Sequence, residues 1–326
     1  MIAINVLKDV HRQLRDMGRA KEIRCFFVEH KRKAYKQLQD AVMAHNDPAN
    51  GFHVATFCGR FEEAIPDIMK FVGRSFALTF IDPTGWTGYG FHKISRIMQH
   101  KPGEVLLNYM FDFINRFTAW EDPKIISSFD AILGARWKDR LATNIPRDEA
   151  VEMLFGDEFR NAGAFNYVLS TRIEKLTDRT HFCIIYGTRS PAGLEAYRDV
   201  EYAALKDHGV RRLGAQIANR EATTGQGSLL KALDFPDAGS IESHVAVSKE
   251  KAQVWLLDRL HALPNPIPFS SMWPAMIQTF VLRKTNARDI CVELAKDGVI
   301  KSPWRDETPK KMKPHDHHII ELVKGK

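Results

Sequence analysis

An α/β fold on a mostly parallel sheet is the class this sequence predicts, and two observations predict it. Five β-rich apolar runs recur along the chain: IRCFFVEH (23–30), FHVATFC (52–58), SFALTFID (75–82), EVLLNYMF (104–111) and HFCIIYGT (181–188). Between the first three lie segments of helical period, which is how strands joined by crossover helices read in sequence.

Taken in order, MIAINVLKDVHRQLRDM reads as a helix. Lys31 to Met43 places Tyr35, Leu38, Ala41 and Val42 at helical spacing, and Phe61 to Val72 does the same with Ala64, Ile65, Ile68 and Val72, so the order is βαβαβ. SFALTFID is apolar enough for a strand buried on both faces, and Pro83, with no N–H to extend a ladder, stops it. Asp122 to about Asn166, including SFDAILGARW and EAVEMLFGDEF, reads as a helical insertion between strands. PAGLEAYRDVEYAAL is a further helix with Pro191 in its first turn. The polar, glycine-bearing stretch from Gly209 to Ser243 reads as loop or linker, which divides the chain into 1–208, 209–243 and 244–326. In the last region FSSMWPAMIQTF precedes TNARDICVELAKDG. There Thr285 or Asn286 can cap a helix whose apolar face is Ala287, Ile290, Cys291, Leu294 and Ala295, ending at Gly298. VIKSPWRDE then gives a short strand and turn, and helix, helix and ribbon together are the outline of a winged helix.

Composition narrows the function classes. With 326 residues, 44% of them hydrophobic, the chain can bury a full core. No run of eighteen apolar residues and no secretory leader pattern occurs, so the expectation is a cytoplasmic protein without membrane contact. Cys25, Cys58, Cys183 and Cys291 form no CxxC pair, which argues against a cysteine zinc site and a disulfide framework and for reduced core thiols. The net charge of +7 is compatible with a polyanionic partner, and residues 283–326 are locally +4. No phosphate-loop G-x-x-x-x-G-K-[ST] and no G-x-S-x-G nucleophile turn is present. His315, His317 and His318 in KPHDHH resemble a metal cluster in composition only, with no matching ligand set elsewhere, and no metal site is expected.

In open parallel sheets ligands bind outside the carboxyl ends of the strands, so the residues ending each run are the candidates. Glu29 ends the first; a carboxylate there suits a ribose diol, although Glu29 before Lys31, Arg32 and Lys33 also reads as a solvated helix start. Cys58 in CGRF ends the second, either an adenine contact or a plain turn. Asp82 and Pro83 end the third; Gly85, Gly88 and Gly90 allow close backbone approach, and Trp86, Tyr89 and Phe91 offer faces for stacking. A carboxylate, free carbonyls and an aromatic plane suit a nucleobase with an exocyclic amine, and a capping aspartate with core aromatics is the alternative. Asn108, Asp112, Asn115 and Arg116 can line the same crevice, and Arg189 can meet a phosphate.

Asp82-Pro83 followed by Gly85-Trp86, together with Glu29, resembles motif IV and the second-strand acid of class I S-adenosylmethionine-dependent methyltransferase folds. More narrowly, FFVEHKRKAYKQL, FIDPTGW, LLNYMFDFINRF, FCIIYGTRSPAGLEAYRDVEYAAL and AKDGVIKSP resemble, in order, the three-Cys-motif partner (TcmP) family across most of residues 1–303. The resemblance implies a Rossmann-like methyltransferase domain and a radical S-adenosylmethionine partner that carries the cysteine motif. Nucleic acid, DNA or RNA, is the implied substrate, with Asp82, Pro83 and Trp86 holding the target base, Glu29 and Cys58 the cofactor S-adenosylmethionine, and Arg283, Lys284, Arg288 and Lys301 the phosphates. An inert nucleic-acid- or partner-binding module is the alternative. Two departures stand out: the aromatic of D-P-P-[YFW] comes one place late, as Trp86, and the family's opening strand and glycine-rich loop have no counterpart ahead of MIAINVLKDV. The chain as given is therefore expected to bind S-adenosylmethionine poorly.

Overall fold

The computed structural model describes residues 2–19, 21–83, 89–118, 121–176, 180–224, 241–262, 266–307 and 312–323. The chain divides into two compact units, Met1–Phe165 with Ile184–Gly187, and Asn166–Cys183 with Thr188–Lys326.

The first unit begins with α1 (Ile2–Asp16), followed by β1 (Ile23–Glu29), α2 (Arg32–Met43), β2 (Phe52–Cys58), α3 (Phe61–Val72), β3 (Ala77–Ile81), α4 (Phe91–Met98) and β4 (Gly103–Tyr109). The βαβαβ order thus holds, and β1 with β2 and β3 with β4 pair in parallel. β1 and β2 form a two-stranded sheet, while β3 belongs to a second sheet ordered β3-β4-β6-β5, with β5 at Tyr167–Glu174 and β6 at Thr180–Thr188. Ile4, Cys25, Val42, Phe52 and Val54 close one core between α1, α2 and the β1-β2 pair. A second apolar cluster gathers around the helices α6 (Pro123–Leu133) and α7 (Arg147–Gly163), where Phe91 meets Phe155 and Phe159 edge-on. Asp122 caps α6 by accepting the Lys124 N–H at 2.8 Å. Gly187 in β6 is required by this packing: a Cβ there would stand 2.5 Å from the Phe165 ring and 2.7 Å from the Phe159 ring.

β3 departs from the expectation of a strand covered on both faces. It ends its sheet, and Phe76, Leu78 and Phe80 are each more than half exposed, at 57%, 58% and 58%. Its apolar sequence is that of an interior strand, but among the described residues only β4 pairs with it.

In the second unit α8 (Pro191–Thr224) runs for 34 residues, so positions 209–224, expected as loop, continue the helix. A Cβ at Gly209 or Gly214 would meet nothing within 4 Å, so no packing requires glycine there; each costs about 1 kcal/mol against alanine, which a helix of this length tolerates. Residues 225–240 lie outside the described residues. On α8, Arg198 and Glu201 form an ion pair at 2.5 Å with side chains only 5% and 3% exposed. Arg198 Nε donates to the Ile277 carbonyl at 2.8 Å, and Thr171 of β5 joins Glu201 to the Tyr197 hydroxyl, so the buried charges are met on several sides.

The rest of this unit is α9 (Ile241–Ala262), β7 (Ile267–Pro268), α10 (Phe269–Thr279), α11 (Lys284–Lys296), the single turn α12 (Trp304–Glu307) and β8 (Ile319–Ile320). β7 pairs antiparallel with β8, and Ile300 bridges Leu322 beside it, with Lys301 N–H to Glu321 O at 2.9 Å and Val323 N–H to Val299 O at 3.0 Å. Asn286 acts from inside α11, not ahead of it: its Oδ1 accepts the Arg283 N–H at 2.9 Å. Among the described residues no helix is long and apolar enough to cross a membrane.

Candidate functional site

The parallel registers bring the predicted strand-end residues to the carboxyl edges of their sheets. Glu29 stands opposite Cys58 across the β1-β2 ladder. The Glu29 carboxylate accepts the Lys31 N–H at 2.7 Å and its carbonyl accepts the Gly59 N–H at 3.1 Å, which fixes the chain's exit from both strands. Cys58 is the exposed cysteine; Cys25, Cys183 and Cys291 are buried, and burial pushes the Cys291 thiol up to about 12.

Across the unit's other sheet, Asp82 leaves β3 exposed, and its Oδ1 accepts a 2.7 Å hydrogen bond from Asn108 Nδ2 of β4. A carboxylate can only accept, so this contact settles which way the Asn108 amide faces. The amide oxygen is then left fully buried with no hydrogen-bond partner. The exposed Asp82 carboxylate, held by Asn108, is the acceptor that a donor-bearing ligand such as an exocyclic amine would meet. Asn108 was a secondary candidate in the sequence; here it is what holds Asp82 in place. Pro83 follows half-buried, whereas Gly85, Trp86 and Gly88 lie outside the described residues, as do the side chains of Asp112 and Asn115.

Two of the aromatics expected to stack on a ligand do not face one. Tyr89 is 2% exposed and Phe91 5%, and they meet edge-on in the core, where burial pushes the Tyr89 hydroxyl well above the ordinary tyrosine range.

The basic residues expected to meet phosphates are largely engaged in the protein. Lys284 is buried, with its Nζ 3.1 Å from Asp316, 3.3 Å from Glu195 and 4.4 Å from the Trp273 ring centroid. Its charge serves the C-terminal core and cannot be presented to a polyanion without dismantling those contacts. Arg283 lies over Tyr202 at 3.9 Å, and Lys301 pairs with Glu321 at 2.9 Å. Arg288 is half-buried, with its Nε unpartnered. Thr188 is buried and caps the exit of β6, its Oγ1 accepting the Ser190 N–H at 3.1 Å, while desolvation lowers the Arg189 guanidinium.

S-adenosylmethionine fits these residues in part. Glu29 suits the ribose diol, and the exposed Asp82 carboxylate suits an amine, but no described residue forms a glycine-rich cradle for the methionine end. No protein-family model and no curated protein matches the chain.

Proposed function

We propose that this protein is a methyltransferase-type, nucleic-acid-directed protein of the three-Cys-motif partner kind, acting with a radical S-adenosylmethionine partner. The strand order carries the reading. Doubly wound sheets run 3-2-1-4-5-6, with the ligand at the reversal between strands 1 and 4. β2-β1 corresponds to 3-2 and β3-β4 to 4-5, which leaves the first position open between β1 and β3 among the described residues. Glu29 and Asp82 end the strands on either side of that position, where such a site belongs. The exposed Leu78 and Phe80 agree with an edge built to be covered. The C-terminal succession of β7, α10, α11 and a ribbon joining 299–301 to 319–323 supports the winged-helix reading.

In the enzyme reading Glu29 would grip the cofactor ribose, and Asp82, held by the Asn108 amide, would accept a hydrogen bond from the target amine. The cofactor, when bound, supplies the methyl sulfonium. A second reading, an inert docking module, is favoured by the edges of β1 and β3, which no further strand pairs among the described residues. Calorimetric titration of S-adenosylhomocysteine into this chain and into its Glu29→Ala variant separates them. We expect weak binding by this chain and its loss on Glu29→Ala. Absence of heat from this chain removes the methyltransferase reading and leaves the docking module.

A further inference from the structure

The geometry points to a site for a divalent zinc-class cation in the C-terminal ribbon, formed by Glu307, His317 and His318. In the sequence the KPHDHH histidines lack a further ligand; folding supplies one by bringing the end of α12 against the turn that leads into β8. His317 Nε2 lies 2.8 Å and His318 Nε2 3.1 Å from the same oxygen, Glu307 Oε1, and all three ligand atoms fall within 4.8 Å of one another. Donors around a tetrahedral zinc with bonds of 2.0–2.1 Å stand about 3.3 Å apart, so small side-chain adjustments suffice.

His318 is the strongest pointer. Its side chain is 2% exposed, and its Nε2, though close to Glu307, is out of line for a hydrogen bond and has no partner. A buried ring nitrogen left so costs about 1–3 kcal/mol, which a metal bond would remove. Trp304 packs edge-on against the ring at 6.1 Å and holds its direction. The second ring nitrogen is also provided for. The His315 N–H donates to Nδ1 at 2.7 Å, which keeps the neutral ring's proton on Nε2; coordination requires the other tautomer, whose Nδ1–H has the His315 carbonyl at 3.3 Å as acceptor. Loading the site therefore turns one hydrogen bond of this turn around. Two imidazoles and a carboxylate are the donor set of zinc sites that keep a fourth position open, and here the exposed His317 and Glu307 turn that position to solvent. His315 stacks on His317 at 6.1 Å but stays outside the ligand group.

The test uses the full chain, freed of metal by chelator and titrated with cobalt(II), then zinc(II). One cobalt per chain with the intense visible bands of a four-coordinate ion, displaced by zinc, is expected. Glu307→Gln and His318→Ala each weaken zinc binding more than about 100-fold, beyond the range for outer-shell partners, while His315→Ala leaves it in place. His318 is a core side chain whose loss can disturb folding. Glu307→Gln, at a side chain 36% exposed, therefore carries the test alone, with unchanged far-ultraviolet circular dichroism as its control. Millimolar, six-coordinate cobalt binding that Glu307→Gln leaves unaltered overturns the site and reduces it to adventitious capture by exposed His317.

Discussion

The β3 edge of the first unit and the α8 network of the second invert the usual distribution of polar and apolar groups in opposite ways. Around β3, Phe76, Leu78 and Phe80 face solvent while the Asn108 amide oxygen is buried without a partner. Around α8, Arg198 and Glu201 are buried, yet each is met by charge or hydrogen bonds from β5, α8 and α10. Burial alone therefore does not mark a functional site in this chain. What distinguishes the two regions is whether the demands of each group are met within the protein.

The comparison breaks most readily at the ion pair. Glu201→Leu leaves a buried, unpaired guanidinium and should cost about 3–5 kcal/mol, with most of it regained in Arg198→Met/Glu201→Leu. Urea unfolding of the three proteins measures both; a single-variant cost under about 1 kcal/mol would mean that water reaches the network. Two leucines on adjacent strands sharpen the other side. Leu107 of β4 is fully buried and Leu78 of β3 is 58% exposed, so Leu107→Ala should cost about 2–5 kcal/mol and Leu78→Ala under about 1. Equal costs would show that β3 is covered.

A smaller effect follows from Cys291. Its thiol, ordinarily near 9.0, is raised to about 12, so above pH 9.0 the unfolded chain loses this proton while the folded chain keeps it. Stability then falls as pH rises from 9.0 towards 12, by at most about 1.4 kcal/mol per pH unit from this group. Cys291→Val should flatten that slope in denaturation midpoints taken across the range. Least of all in energy, Cys58→Ser should change stability by no more than about 0.5 kcal/mol. It should nonetheless abolish the fast thiol labelling of the native protein, since Cys25, Cys183 and Cys291 are buried; residual fast labelling would show a buried cysteine opening.

Much of the fold was legible because local pattern and tertiary position agree for β1, β2, β4 and β6, whose observed ends fall within two residues of the apolar runs. β5 went unread because YVLSTRIE mixes polar and apolar residues; its alternation of buried Leu169 and Thr171 with exposed Ser170 and Arg172 was the available signal. The continuation of α8 was hidden by two glycines that read as loop. At the site, Glu29 and Asp82 were visible as strand-end carboxylates, but the Asn108 contact depends on the β3-β4 pairing. Lys284 read as a surface cation because sequence records its charge and not Glu195, Asp316 and Trp273 around it.

The edge of β3 that no further described strand pairs bears on how copies of the protein behave towards each other. Backbone groups that no described strand pairs, flanked by Phe76, Leu78 and Phe80, offer a template for intermolecular pairing, which the +7 net charge opposes. Salt shortens the reach of that repulsion from about 30 Å at 0.01 M to about 8 Å at 0.15 M. Light scattering of concentrated protein should therefore rise with ionic strength, and Leu78→Lys should suppress the rise; indifference to salt would place the association elsewhere.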